Sequence, residues 1–385
     1  MSTRTTSAAA QRFRPPSGEE PPLLLNPGPI NVSQRVGQAL LRGDLCHREP
    51  EWAALQNELR RLLVELFVPA APAGWAACLL TGSGTAAMEA AVSSLVPPGK
   101  RLLVLQNGVY GERLATIARA HGIELRLLEA SWTAPQDPQA LGALLRADPE
   151  IAAVAAVHHE TTTGLLNPVR ELGQTCRALG RTFLVDAISS IGGEELDLEG
   201  WGVDAVIGTA NKCIRALPGL SFVLARRALL SQAAAWPPRT LYLHLPAYFA
   251  AQEQGGVPFT PAVQVGYAFH EALLELREES VAARCARYRA LAGQLREGLA
   301  RLGLTPLVAA PHRSHTITTL GLPAGWTYEA LHDALRAQGL VIYAGQGALK
   351  ETAFRVANMG LLDEADVTRV VGALEGLLRG AGARA

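Results

Sequence analysis

Residues 78–96 read CLLTGSGTAAMEAAVSSLV. An apolar run ends in Thr81-Gly82-Ser83-Gly84-Thr85, and a helix of small residues starts at once. A strand passing through a glycine turn directly into a helix is the opening of a βα unit. The same grammar recurs downstream in RLLVLQNGVYGERLATIARAHG (101–122), IELRLLEA (123–130), IAAVAAVHHE (151–160) and TFLVDAISS (182–190). Upstream, EWAALQNELRRLLVELF (51–67) spaces its leucines for an amphipathic helix. Short apolar runs alternating with helices predict an α/β fold with a mostly parallel sheet, its strands buried on both faces by helices.

Beyond about residue 279 the texture changes. ARYRALAGQLREGLARLGL, YEALHDALRAQGL and DEADVTRVVGALEGLLRG read as helices, HTITTLGLP as a strand, and ALKETAFRVANMG as a strand or turn. The expected division is a disordered extension over 1–22, a large domain over 23–278 and a smaller α+β C-terminal domain over 279–385. The Ser- and Arg-containing start, which lacks an apolar signal core, reads as that loose extension, with a processed leader as the competing reading.

Composition narrows the function. The chain has 385 residues, with 35 basic and 35 acidic side chains, so its formal charge of zero gives no electrostatic case for nucleic acid or an anionic membrane. Hydrophobic residues make up 49%, enough for a large core, while charged residues at 18% leave surface to bury in an oligomer. The longest clean apolar run, 151–157, is far shorter than the ~20 residues that span a bilayer. Cys46, Cys78, Cys176, Cys213 and Cys285 are scattered, with no CxxC pair. That pattern fits a reducing cytoplasm and gives neither a disulfide framework nor a zinc site.

In a parallel sheet, ligands bind beyond the carboxyl ends of the strands. The chemistry-bearing residues collect there. Ser83, Gly84 and Thr85 could cup an anion with helix-start N–H groups and hydroxyls, or form an ordinary glycine-rich turn. Asp186 ends the run Phe183–Val185, and a lone Asp there more commonly caps a helix. Lys212 follows another apolar strand and is one of only three lysines in an arginine-rich chain. A lysine kept where arginine is the default suggests that the amine itself is wanted, as in Schiff-base chemistry. An amine, a carboxylate and a phosphate cup are together the fittings for pyridoxal 5′-phosphate. His158 and His159 are adjacent on a strand and point to opposite faces, which argues against a metal site.

The chain also resembles the class V, fold-type I aminotransferases, from about Leu23 to the C-terminus. Within them it is most similar to the 2-aminoethylphosphonate–pyruvate branch. The resemblance is carried by NPGP (26–29), GSGTAAMEA (82–90), NGVYGERLA (107–115), HHETTTGLLNP (158–168), VDAISSIGG (185–193), TANKCIRALPG (209–219) and FRVANMG (354–360). It implies a seven-stranded sheet and a homodimer with shared active sites. It also implies transamination of 2-aminoethylphosphonate with pyruvate, giving phosphonoacetaldehyde and alanine. Lys212 would form the Schiff base and move the proton, and Asp186 would pair with the ring nitrogen. Ser83, Gly84 and Thr85 would hold the phosphate, with Thr260 reaching the phosphate of the neighbouring subunit. Tyr110 would stack on the ring, Ile188 pack beneath it, Thr162 bond its hydroxyl, and Asn211 sit beside the lysine. Arg355 would bind the carboxylate of the 2-oxo acid, and Arg48 the second anionic group.

Blander readings stand beside these. Tyr110 could be core packing, Arg355 a structural ion pair, and Arg48 a partner of Glu51. The nearest alternative substrates are alanine or serine with glyoxylate or pyruvate. A desulfurase or lyase is disfavoured, because Asn211 rather than histidine precedes Lys212 and the later cysteine, Cys285, lies in a helix pattern. A non-enzymatic relative would be expected to lack Lys212, Asp186 or Arg355, and none is missing.

Overall fold

The computed structural model describes residues 11–15, 17 and 20–382. Its centre is a seven-stranded sheet built from β1 (Trp75–Thr81), β2 (Arg101–Gln106), β3 (Leu125–Glu129), β4 (Ile151–Val157), β5 (Thr182–Asp186), β6 (Ala205–Thr209) and β7 (Leu220–Arg226), in the spatial order β1-β7-β6-β5-β4-β2-β3. β2, β3, β4, β5 and β6 pair in parallel, and β7 runs antiparallel to both its neighbours, β1 and β6. The carboxyl ends of β1, β2, β4, β5 and β6 therefore share one edge of the sheet.

Apart from the edge strand β3, the near-continuous apolar character of these strands follows from burial on both faces. Ala77, Leu79, Val154, Ala156 and Val206 enter one apolar cluster, while Cys78, Leu80, Ala153, Ala155 and Ala205 enter another. That alternation is the two-residue period of a strand. One layer includes α1 (Pro50–Phe67), with Leu59, Leu62 and Leu63 fully buried. Each such leucine contributes roughly 1.5–3 kcal/mol through burial, more than intrinsic helix propensity supplies. The opposite layer includes α2 (Gly84–Leu95) and α3 (Val109–Ala120), the helices that start from the glycine turns at the carboxyl edge.

α4 (Val263–Glu279) ends at Ser280, whose hydroxyl accepts from Ala283 N–H at 3.2 Å and caps α5 (Val281–Arg301). The first half of α5 stays with the large unit, whose apolar cluster takes Val281 and Tyr288, and a third cluster begins at Leu291. It joins α5, the helix Tyr328–Arg336 and α6 (Glu364–Gly382) to a small antiparallel sheet of β8 (Ile317–Gly321), β10 (Ala353–Ala357) and β9 (Tyr343–Ala344). Leu23 and Leu25 belong to this cluster, and Leu23–Leu24 pairs in parallel with Leu340–Val341. Leu23 and Leu25 thus pack with the C-terminal unit, while Phe13 before them packs against the large unit's cluster. A two-residue strand carries no periodicity from which such a pairing could be read.

Of the stretch expected to be a loose extension, residues 1–10, 16, 18 and 19 lie outside the described residues. Its described part is held in place: Phe13 N–H donates to Val32 O at 3.0 Å, and Arg12 pairs with Asp366 at 2.8 Å. No helix among the described residues is long and apolar enough to cross a membrane.

Candidate active site

The glycine turn after β1 leaves donors without acceptors. Gly82 N–H is spent on Gly219 O at 2.9 Å. Ser83 is the N-cap of α2, yet its exposed hydroxyl makes no capping bond. Among the described hydrogen bonds, the N–H groups of Gly84 and Thr85 have no acceptor, as expected for the first turn of a helix. A Cβ on Gly84 would lie 2.7 Å from Ile188 Cδ1, so glycine is what lets the β5 loop close against this turn. Thr85 Oγ1 accepts from Arg113 Nη1 at 3.1 Å, and the Arg113 guanidinium stands 4.7 Å from the Tyr110 ring centre. Free N–H groups, two hydroxyls and a nearby guanidinium form an anion cup.

Asp186 ends β5, buried to 4% exposure, and its Oδ1 accepts from Ile188 N–H at 2.9 Å. No cation is bonded to it among the described residues. Burial raises its pKa to about 7, and the Glu160 carboxyl pushes in the same direction. Glu160 is itself fully buried and raised by desolvation. It accepts from Thr162 Oγ1 at 2.6 Å, Thr162 N–H at 3.1 Å and Tyr110 N–H at 3.1 Å. A carboxylate at the start of α3 replaces the side-chain cap that the N-cap, Gly108, cannot supply. It ties the backbone of Tyr110 to the side chain of Thr162, so two expected ring contacts are held by one acid.

Lys212 lies three residues beyond β6 (212 − 209). Its Nζ donates to the carbonyl oxygen of Pro27 and is in no salt bridge among the described residues. Desolvation lowers its pKa to about 8, only partly opposed by Cys213 and Asp186. Gly28 has φ +121°, and a Cβ there would sit 3.0 Å from Lys212 Cδ. Beside the lysine, Asn211 Oδ1 accepts from Thr209 Oγ1 at 2.9 Å.

Arg355, on β10, is 5% exposed. Its Nε donates to Ala344 O at 2.8 Å, and its Nη1 to Thr161 O at 3.1 Å and to Gln346 Oε1 at 3.2 Å. No carboxylate pairs with it among the described residues, which removes the structural ion pair as its role. Desolvation lowers its pKa, with Glu160, Tyr110 and Tyr343 opposing. A buried guanidinium without an acid leaves a place for an anion from outside.

Other expected residues are not gathered here. Arg48 is exposed and has no ion pair with Glu51 or hydrogen bond among the described residues. Thr260 is also exposed, in the rim of a cavity that Thr81, Leu220 and Tyr242 share. His158 and His159 are buried and held neutral by desolvation, at about 4 and about 3, and no metal-holding cluster occurs among the described residues. Glu160, Arg113, Pro27 and Gln346 were not singled out by sequence reasoning. The available signals were an acid inside ETTTG and the NPGP turn.

A family model described as aminotransferase class-V matches residues 53–369. The chain is 39% identical over 358 residues to the 2-aminoethylphosphonate–pyruvate transaminase of Syntrophobacter fumaroxidans, covering 92% of this chain and 95% of that one. It is 36% identical over 359 residues to the transaminase of the same name from Vibrio cholerae, covering 92% and 96%. Among solved structures, pyridoxamine–pyruvate aminotransferase from Mesorhizobium loti superposes with a TM-score of 0.88 at 28% identity, over 97% of this chain and 95% of that one.

Proposed function

The chain belongs to the class-V aminotransferase family, and from that premise we propose that it moves the amino group of 2-aminoethylphosphonate to pyruvate, giving phosphonoacetaldehyde and alanine, with pyridoxal 5′-phosphate as cofactor. The observation that carries the chemistry is Lys212, a desolvated amine at about 8 with no carboxylate bonded to it, on the sheet edge that also holds Asp186. The substrate pair rests on the named relatives.

The residues fit the cofactor. Ser83, Gly84 and Thr85 offer the unpaired donors a phosphate needs. Asp186 is a buried acid with no cation bonded to it among the described residues, suited to a protonated ring nitrogen. When bound, the cofactor supplies an aldehyde for an amine and a ring that takes up the electrons of a broken Cα–H bond. Lys212 then does what the chain must do: at mildly alkaline pH a large share of its Nζ is neutral, able to take the substrate's Cα proton and deliver it to the carbon across the nitrogen, C4′. Asp186 keeps negative charge against the ring nitrogen. Tyr110 and Thr162, both tied by Glu160, wall and orient the ring. Ile188 packs below, Asn211 flanks the lysine, and Arg355 takes the anionic end of the substrate.

Two copies are part of the same reading. Leu241 is 83% exposed and Tyr242 42%, close to Thr260 and the carboxyl edge, with the Asp44–Glu49 loop and its Arg48 also open to a partner. The direct test mixes cofactor-loaded protein with 2-aminoethylphosphonate, alanine, serine and aspartate separately. Rapid bleaching of the cofactor band by 2-aminoethylphosphonate, and by alanine through the reverse half-reaction, is expected. No bleaching by 2-aminoethylphosphonate overturns the substrate assignment.

A further inference from the structure

An arginine grips a carboxylate with two parallel N–H groups, along either its Nε/Nη2 edge or its Nη1/Nη2 edge. At Arg355 the first edge is closed, because Nε is committed to the backbone carbonyl of Ala344 at 2.8 Å. The second edge is also occupied in part. Nη1 donates to two acceptors, Thr161 O at 3.1 Å and Gln346 Oε1 at 3.2 Å. Nη2 makes no hydrogen bond among the described residues. A two-point grip therefore requires an acceptor to leave Nη1, and the side chain of Gln346 is the one that can rotate away without moving backbone.

The backbone beneath Gln346 is well fixed. Gln346 is the N-cap of the short turn Gly347–Leu349, and its carbonyl accepts from Leu349 N–H at 3.1 Å. A Cβ on Gly345 would fall 2.0 Å from Leu349 O, and one on Gly347 would fall 2.6 Å from the Trp132 ring. The loop is thus folded on itself and pressed against the large unit. Its half-buried glutamine can turn its amide but cannot withdraw far.

We propose that Gln346 is a specificity-determining residue, which cedes Nη1 of Arg355 to the incoming anion and then reads the extra oxygen of a phosphonate with its amide N–H. This rests on the substrate reading above and deepens it. A carboxylate has two oxygens, and the Nη1/Nη2 edge uses both. A phosphonate has three, so one is left over after the same grip. In the free chain Gln346 presents Oε1 to the guanidinium; turned over, it presents Nε2–H to that remaining oxygen. One arginine then serves both half-reactions, and the neighbouring amide decides between their anions.

The test compares the native chain with Gln346→Met, which keeps length without hydrogen bonding, and Gln346→Glu. The probes are ethylphosphonate and propionate, amine-free analogues of the two amines, titrated calorimetrically into the cofactor-loaded protein. Removing one hydrogen bond to a charged group predicts about a tenfold to hundredfold loss of ethylphosphonate affinity in Gln346→Met. Propionate should bind the same variant at least as well as before, because a competitor for Nη1 is gone. Gln346→Glu should weaken both probes, its carboxylate pairing with Arg355. Equal losses of both probes in Gln346→Met, or no loss of ethylphosphonate, overturn the proposal. Absence of turnover with 2-aminoethylphosphonate in the native chain, with the binding contrast intact, would instead overturn the substrate assignment alone. Circular dichroism of each variant separates these outcomes from misfolding.

Discussion

Asp186→Asn should make the cofactor-free protein more stable above neutral pH while weakening its hold on the cofactor. The Asp186 carboxyl is buried with no bonded cation, and its pKa stands at about 7 against an ordinary 3.8. That displacement corresponds to about 4 kcal/mol of unfavourable free energy once the group is ionised in both states. Because the folded value lies above the unfolded one, the folded chain holds the proton more tightly between about pH 4 and 7. Stability therefore falls as pH rises through that window and then levels. An amide in its place keeps the acceptor for Ile188 N–H. Its own buried N–H groups take back about 1–3 kcal/mol for want of acceptors, leaving a net gain of about 1–3 kcal/mol. Lys212 and Glu160 titrate in both proteins, so the difference between the two reports Asp186 together with its charge coupling to those two groups. Urea unfolding of cofactor-free protein at fixed concentration should show the two chains nearly equal near about pH 5 and the variant ahead near about pH 8. Cofactor titrated into each should stabilise the variant less. A difference that stays flat with pH, or a variant less stable at the higher pH, would refute the argument that Asp186 waits in the fold as an unpaired acid.

Lys212→Ala should abolish transamination and leave the circular dichroism spectrum unchanged; turnover that persists without added amines would remove Lys212 from its role. Arg355→Lys exchanges a planar fork for a point charge, so kcat/KM for pyruvate should fall about tenfold to hundredfold. An unaffected pyruvate half-reaction in stopped flow would move the carboxylate site elsewhere. Gly28→Ala imposes a side chain at φ +121° and 3.0 Å from Lys212 Cδ. A stability loss of about 1–3 kcal/mol in urea, with slower single-turnover proton transfer, is expected, and normal values of both would show that the contact is slack.

The sheet was legible because strands covered on both faces need long apolar runs, and those runs stand out between helices. Lys212 and Asp186 were legible for a related reason, since each is a polar residue placed directly behind such a run. Glu160 stands inside the ETTTG motif with no local sign of its role. Its role depends on Tyr110 and Thr162 meeting it, and a contact between residues 110 and 160 leaves no local pattern. Arg355 was open between ion pair and ligand until the surrounding acids could be located. Gln346 became visible only through its bond to that arginine. The exposed position of Arg48 shows the opposite limit: a charge in a loop reads the same whether or not anything comes to meet it.

The pairing of Leu23–Leu24 with Leu340–Val341 has a consequence for how the protein is made. The carbonyl that receives the Lys212 ammonium, on Pro27, lies just past that strand. A chain emerging from the ribosome presents residue 23 long before residue 340. The early segment must wait, unpaired, while the sheet forms behind it. Contacts between such distant parts of a chain are the slow ones to close. The lysine therefore acquires its oxygen partner only after residue 340 has been synthesised, so a nascent chain, or one ended before that point, can hold a finished sheet and still lack a finished active site.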